Sequence, residues 1–197
     1  MRGMKRCILP LFLLLSLVLT ACGAPASQQQ EAPWQTAYRE TGAYLLAQDA
    51  PAAGSVNGEW TVVGLRAAGL LERETAAAYY QSAMETVAQA GGSRLNPNKA
   101  TENARTILGV TAAGHDAADV AGVDLTAGLS DMSYLRRQGV NGPIWALIAL
   151  DCGSYADPVP AEGEEPVTRD TLVSELLDSR CAEGGWTLMG DTLDVDV

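Results

Sequence analysis

The chain has 197 residues, 47% of them hydrophobic, with 13 basic against 24 acidic side chains and a formal net charge of −11. That length and apolar content suit one domain with a real core, and the charge argues against nucleic acid, whose phosphates reward lysine and arginine. It argues equally against broad contact with anionic lipid headgroups and fits a solvated, mutually repulsive coat that favours solubility. In chain order, the first six residues hold Arg2, Lys5 and Arg6 and no acid, and an apolar run from Cys7 to Leu19 is broken only by Pro10 and Ser16. The run is short of the ~20 apolar residues of a spanning helix, and with small residues after it the layout is that of a secretory signal peptide.

The small residues are Thr20, Ala21, Cys22 and Gly23, and Leu19-Thr20-Ala21-Cys22 resembles the lipobox of bacterial lipoproteins. The resemblance implies cleavage of a signal peptide at 1–21 and diacylglycerol on the Cys22 sulfur. The protein would then be extracytoplasmic and held at the cell membrane by lipid alone. Each buried acyl methylene contributes ~0.8 kcal/mol, so two or three chains anchor stably without a protein span. Cys7 would leave with the signal. Removing residues 1–21, with their three positive charges, leaves 176 residues and moves the formal charge from −11 to −14. The segment 22–33, with its GAPASQQQEAP stretch, is small, polar and proline-bearing, the composition of a flexible tether.

The folded part is expected over 34–197. Trp34, Tyr38, Thr41, Tyr44 and Leu45 recur at helical steps, and Ala50 to Gly54 breaks that pattern. A long helix is predicted over Arg73 to Ala90, with Gly91-Gly92 at its C-terminal end. Another is predicted from Ala100 to Ala113, closed by Gly114. Ile144 to Asp151 is apolar nearly all round, which predicts burial. Thr168 to Arg180 carries Leu172, Val173, Leu176 and Leu177, with Thr168 as N-cap and Asp170 in the first turn. No stretch alternates with period two for long, so the domain is predicted all-α.

Internal similarity adds to this. Gly64 to Gly69 resembles Gly109 to Gly114, 45 residues on; Gly153 follows Gly114 by 39; and Val56 to Trp60 echoes Val140 to Trp145. A period of ~40 residues suits one helical hairpin per repeat, with buried inner helices alternating with half-exposed outer ones in two layers.

Tyr134 to Tyr155, followed by Gly184-Gly185-Trp186, resembles the bacterial branch of the terpenoid cyclase and protein prenyltransferase superfamily, over about Gly54 to Val197. The resemblance implies an α/α toroid, a ring of helical hairpins around a central cavity. Gly184, Gly185 and Trp186 look like its squalene-cyclase repeat, a packing motif in which the glycines allow a tight turn and the tryptophan fills the gap between hairpins. Arg180 stands where that repeat has a glutamine. A toroid closes with about six hairpins, whereas ~40 residues per repeat supply about four here. The chain is therefore expected to be an incomplete ring, truncated at its C-terminus.

The residue inventory offers little for catalysis. His115 is the single histidine and lies in a polar turn beside Asp116, so neither a metal site nor a Ser–His–Asp or Cys–His set is predicted. The glycines fall at helix ends and form no phosphate loop. Asp191, Asp194 and Asp196 are read as N-caps of a further helix, ahead of a calcium site. Cys152 and Cys181 are open to either reading, a disulfide or two buried thiols. No cofactor is expected. By what the resemblance implies, the module binds a small molecule, with a corrinoid as one guess, or a surface macromolecule. Glu59, Trp60 and Trp145 are the candidate cavity residues, although Trp60 and Trp145 also suit core packing. The alternative is an isoprenoid cyclase or prenyltransferase-like enzyme whose catalytic residues lie beyond Val197.

Overall fold

The computed structural model describes residues 32–190. The expected signal peptide, Cys22, most of the tether, and Asp191, Asp194 and Asp196 lie outside the described residues. Within those described, the protein is all-α: seven α-helices and two short 3₁₀ turns, with no strand. Among the described residues no helix is long and apolar enough to cross a membrane.

The chain divides into two compact units, one ending at Arg39 and the other beginning at Glu40. Helix α1 (Pro33–Leu46) contains the division. In the first unit, the side-chain oxygen of Gln35 accepts from the Ala32 amide at 2.8 Å, satisfying a donor at the start of the helix. Its Trp34 and Tyr38 are exposed.

The second unit holds the core. Helix α2 (Gly58–Ala67) is followed by α3 (Arg73–Ala90) and α4 (Ala100–Ala112). After a long connection come a 3₁₀ turn (Thr126–Leu129), the short α5 (Met132–Leu135), a second 3₁₀ turn (Arg136–Gln138), α6 (Asn141–Cys152) and α7 (Arg169–Asp178). The predicted limits of the long helix agree with α3, whose C-cap Gly91 has φ 70°, left-handed as that position requires. Thr168 caps α7 as predicted, in a reciprocal pair with Thr171.

Helix α4 is central. Seven of its residues are buried, and it packs most extensively against α6 and α2. Direction follows from which ends meet. Gln138, just before α6, bonds the backbone amide of Thr101 at 2.9 Å and its hydroxyl at 3.0 Å, so the N-termini of α4 and α6 adjoin. At their C-termini, the hydroxyls of Thr111 and Tyr155 are 2.7 Å apart. Arg66, in the last turn of α2, lies beside Gly114, past the end of α4. Helices α2, α4 and α6 therefore run the same way, side by side. Helix α3 returns against α4: Tyr80 in its first half stacks on His115, and Ser93 beyond its end receives a hydrogen bond from Asn103. Helix α7 returns against α6, with Arg169 at its start bonded to the Leu150 carbonyl at 3.0 Å.

The interior is formed by Val62, Tyr79, Ala83, Ile107, Val110, Leu125, Leu129, Tyr134, Leu150 and Leu172, among others. Its small residues set the packing distances. The hydroxyl of Tyr79 rests against Gly109, where an added Cβ would lie 2.1 Å from the oxygen. One expectation is corrected. The run in α6 is not buried all round, since Ile148 is 41% exposed and Ile144, Trp145 and Leu147 are half-buried. Among the described residues the helix has α4 and α7 as its main neighbours, and two neighbours cannot cover a whole cylinder.

Candidate functional site

The three cavity candidates lie close together but separate into two environments. Successive residues on α2 point about 100° apart, so Glu59 and Trp60 cannot share a face. Glu59 turns inward and is fully buried. Its Oε1 accepts from the Gly54 amide at 2.7 Å, fastening the 47–57 connection to the start of α2. Its second oxygen has no hydrogen-bond partner, and the same holds for the Tyr79 hydroxyl and the Arg105 Nε among the described residues. Burial pushes the Tyr79 phenol far above its ordinary value, the Glu59 carboxylate adds to the rise and the Arg105 guanidinium opposes it. The phenol is therefore neutral at any physiological pH. Glu59 is a buried anchor of that connection and lies outside the lining of the groove beside Trp60.

Trp60 turns outward and is 42% exposed. Its indole meets that of Trp145 on α6, with ring centroids 5.3 Å apart and planes inclined at 53°, inside the range of favourable aromatic pairs. The two rings reach each other from the helices on either side of α4. Both are thus packing elements and surface elements at once.

Trp60 also forms one wall of a groove of about 740 Å³ between the C-terminal end of α1, the 47–57 connection and the first turn of α2. Tyr44, Gln48, Asp49, Pro51, Val56 and Asn57 contribute to it. Asn57 occupies the N-cap position of α2 in a helical conformation, and its side chain makes no cap bond. These residues were missed at the sequence level. The sequence marks the stretch by the break in helical pattern at Ala50 to Gly54 and by the Val56 to Trp60 echo, neither of which points to a groove.

Other clusters are internally satisfied. Arg94 pairs with Glu164 at 2.5 Å and lies 3.7 Å from Asp131, and Ser130 donates to Glu164 at 2.6 Å. The Ser130 bond first, then the Ala161 amide and Arg94, hold the Glu164 carboxyl below its usual range. His115 is exposed and lies flat against Tyr80, with centroids 3.5 Å apart. Among the described residues no three His, Cys, Asp or Glu side chains converge as a metal site would require. Cys152 and Cys181 are both free thiols, the first exposed and the second buried.

At the candidate packing motif, Gly184 and Gly185 take φ of 91° and 77°, conformations that a side chain would strain. The Cys181 amide donates to the Gly185 carbonyl at 3.0 Å, closing the turn. Trp186 is 39% exposed and its indole N–H donates to the Leu176 carbonyl, which ties the turn back to α7.

Comparison of the chain with protein-family models, with curated proteins and with solved structures finds no match.

Proposed function

We infer that this protein is a bacterial lipoprotein held outside the cytoplasm by acylated Cys22, with a toroid-like helical-hairpin domain that binds a small molecule or a surface macromolecule without transforming it. The observation that supports a binding role is the exposed aromatic wall at Trp60, backed by Trp145 and facing a groove of ligand size. The side-by-side run of α2, α4 and α6, with α3 and α7 returning, supports the hairpin-repeat reading. Localisation rests on the sequence around Cys22.

The test has two parts. Expressed in a bacterial host and fed a labelled fatty acid, the wild-type chain is expected to incorporate label and fractionate with membranes, whereas Cys22→Ala does neither. Label and membrane retention in the variant would refute the anchor. Native mass spectrometry of the acylated chain with a panel of corrinoids, polyprenyl compounds and oligosaccharides tests the binding role. Turnover of any panel member into a product would replace it with a catalytic one.

A further inference from the structure

The groove beside Trp60 has a composition that selects among ligand chemistries. Its lining carries no Lys, Arg or His, and Asp49 is its single ionisable side chain apart from the Tyr44 phenol. A site for phosphate or carboxylate would leave the anion unpaired beside an aspartate, which disfavours it. The groove instead offers aromatic faces and uncharged polar groups side by side. Tyr44 is 65% exposed and Trp60 42%, so two rings on one groove keep apolar area in water that a ligand would cover. Gln48 and Asn57 place side-chain amides beside those rings; the Gln48 Nε2 already donates to the Tyr44 carbonyl at 3.1 Å, which leaves its second N–H and its Oε1 to a ligand. The Asn57 amide is not spent on capping α2, although it stands at the position where an asparagine usually is.

The walls are preformed. Trp145 supports the indole of Trp60 from behind. The loop that forms the floor is pinned at two backbone amides: Gly54 by buried Glu59, and Ala53 by the Ser82 hydroxyl at 3.1 Å. Such a groove loses little freedom when a ligand enters, and rigidity of this kind favours affinity. Its volume of about 740 Å³ lies within the ~300–1,000 Å³ of small-molecule sites.

A ligand that matches must be uncharged, present an apolar C–H face to the rings, and carry hydroxyls that both donate and accept at its edge. Sugar rings have all three properties together. We propose that the groove formed by Tyr44, Gln48, Asp49, Asn57 and Trp60 is a binding site for a neutral oligosaccharide of two or three rings. Asp49 accepts from hydroxyls, the amides of Gln48 and Asn57 exchange hydrogen bonds with them, and the sugar faces stack on Tyr44 and Trp60. The proposal rests on the domain being a binding module and is independent of acylation at Cys22.

The test is isothermal titration calorimetry of the intact chain in detergent with cellotriose and with triacetylchitotriose. Choline and cyanocobalamin serve as the competing chemistries. Saturable binding of a trisaccharide is expected, weakened about tenfold or more by Trp60→Ala and by Asn57→Ala, the factor a single lost contact of ordinary strength carries. Asn57→Ala removes a side chain without a cap bond and is expected to melt at the wild-type temperature, so its loss of binding is not a loss of fold. Trp186→Phe, outside the groove, is expected to bind as wild type does. Failure of both sugars to bind the folded protein overturns the proposal, as does sugar binding that neither groove variant changes. Cyanocobalamin binding without sugar binding overturns it while leaving the binding module intact, and choline binding that Trp60→Ala abolishes makes the groove a cation site instead.

Discussion

Replacing Asn103 with Ala removes three hydrogen bonds from one buried side chain. Asn103 is fully buried on α4; its Oδ1 accepts from the Leu95 amide at 2.8 Å and its Nδ2 donates to the carbonyls of Ser93 and Leu125, the latter at 3.1 Å. It thus fastens the α3–α4 connection and the long segment after α4 to one helix. A net ~1 kcal/mol per bond, with more where a partner is left buried and unpaired, sums to about 3–5 kcal/mol. The better helix propensity of Ala returns about 0.6 kcal/mol, leaving a net loss of about 2.5–4.5 kcal/mol, a large part of the ~5–15 kcal/mol of a typical domain. Urea unfolding followed by circular dichroism reads the change directly. Asn103→Asp keeps the shape but, when ionised, cannot donate to either carbonyl, so its folded form favours the protonated acid. Its stability is then greatest below the unfolded pKa of about 3.9, falls as pH rises to the raised folded value, and stays low above it. An Asn103→Ala protein within 0.5 kcal/mol of wild type, on the ~1 kcal/mol scale of one bond, would refute the reasoning.

Gly109→Ala gains helix propensity of about 1 kcal/mol but drives a methyl to 2.1 Å from the buried Tyr79 hydroxyl. A net loss of about 1–3 kcal/mol is expected, partly recovered by adding Tyr79→Phe, as denaturant melts will show. Glu164 is held below its usual range mainly by Ser130, and Glu175 mainly by Arg136. A depressed folded pKa stabilises fully above the unfolded value of about 4.3 and is lost as pH falls through the folded one. The melting temperature is therefore expected to drop between pH 5 and pH 3, and Glu164→Gln is expected to flatten that drop. Arg169 bonds Asp151 at 2.7 Å, Asp157 at 2.6 Å and the carbonyls of Leu150 and Tyr155. Arg169→Ala is expected to speed proteolysis within 153–168 severalfold, and an unchanged cleavage rate would show that the loop holds by other means.

What the sequence by itself determined is what three or four neighbouring residues decide. The length of α3 follows from its apolar spacing and from Gly91, where a left-handed turn needs glycine. The start of α7 follows from Thr168, whose hydroxyl accepts from a backbone amide three residues on at 3.1 Å. The all-α class follows from the same local periodicities, summed along the chain. Tertiary structure decided which faces are covered. Glu59 and Trp60 are adjacent in sequence, yet one is sealed beneath Gly54 and the other opens onto a groove, because a helix turns them about 100° apart and the neighbours differ on each side. Helix α6 reads as fully apolar, but its exposure depends on how many helices lie against it, which its own residues do not encode. Tyr44 reads as part of the apolar stripe of α1 and Asn57 as part of a separate segment, and only the return of the chain at 47–57 brings them to the same groove.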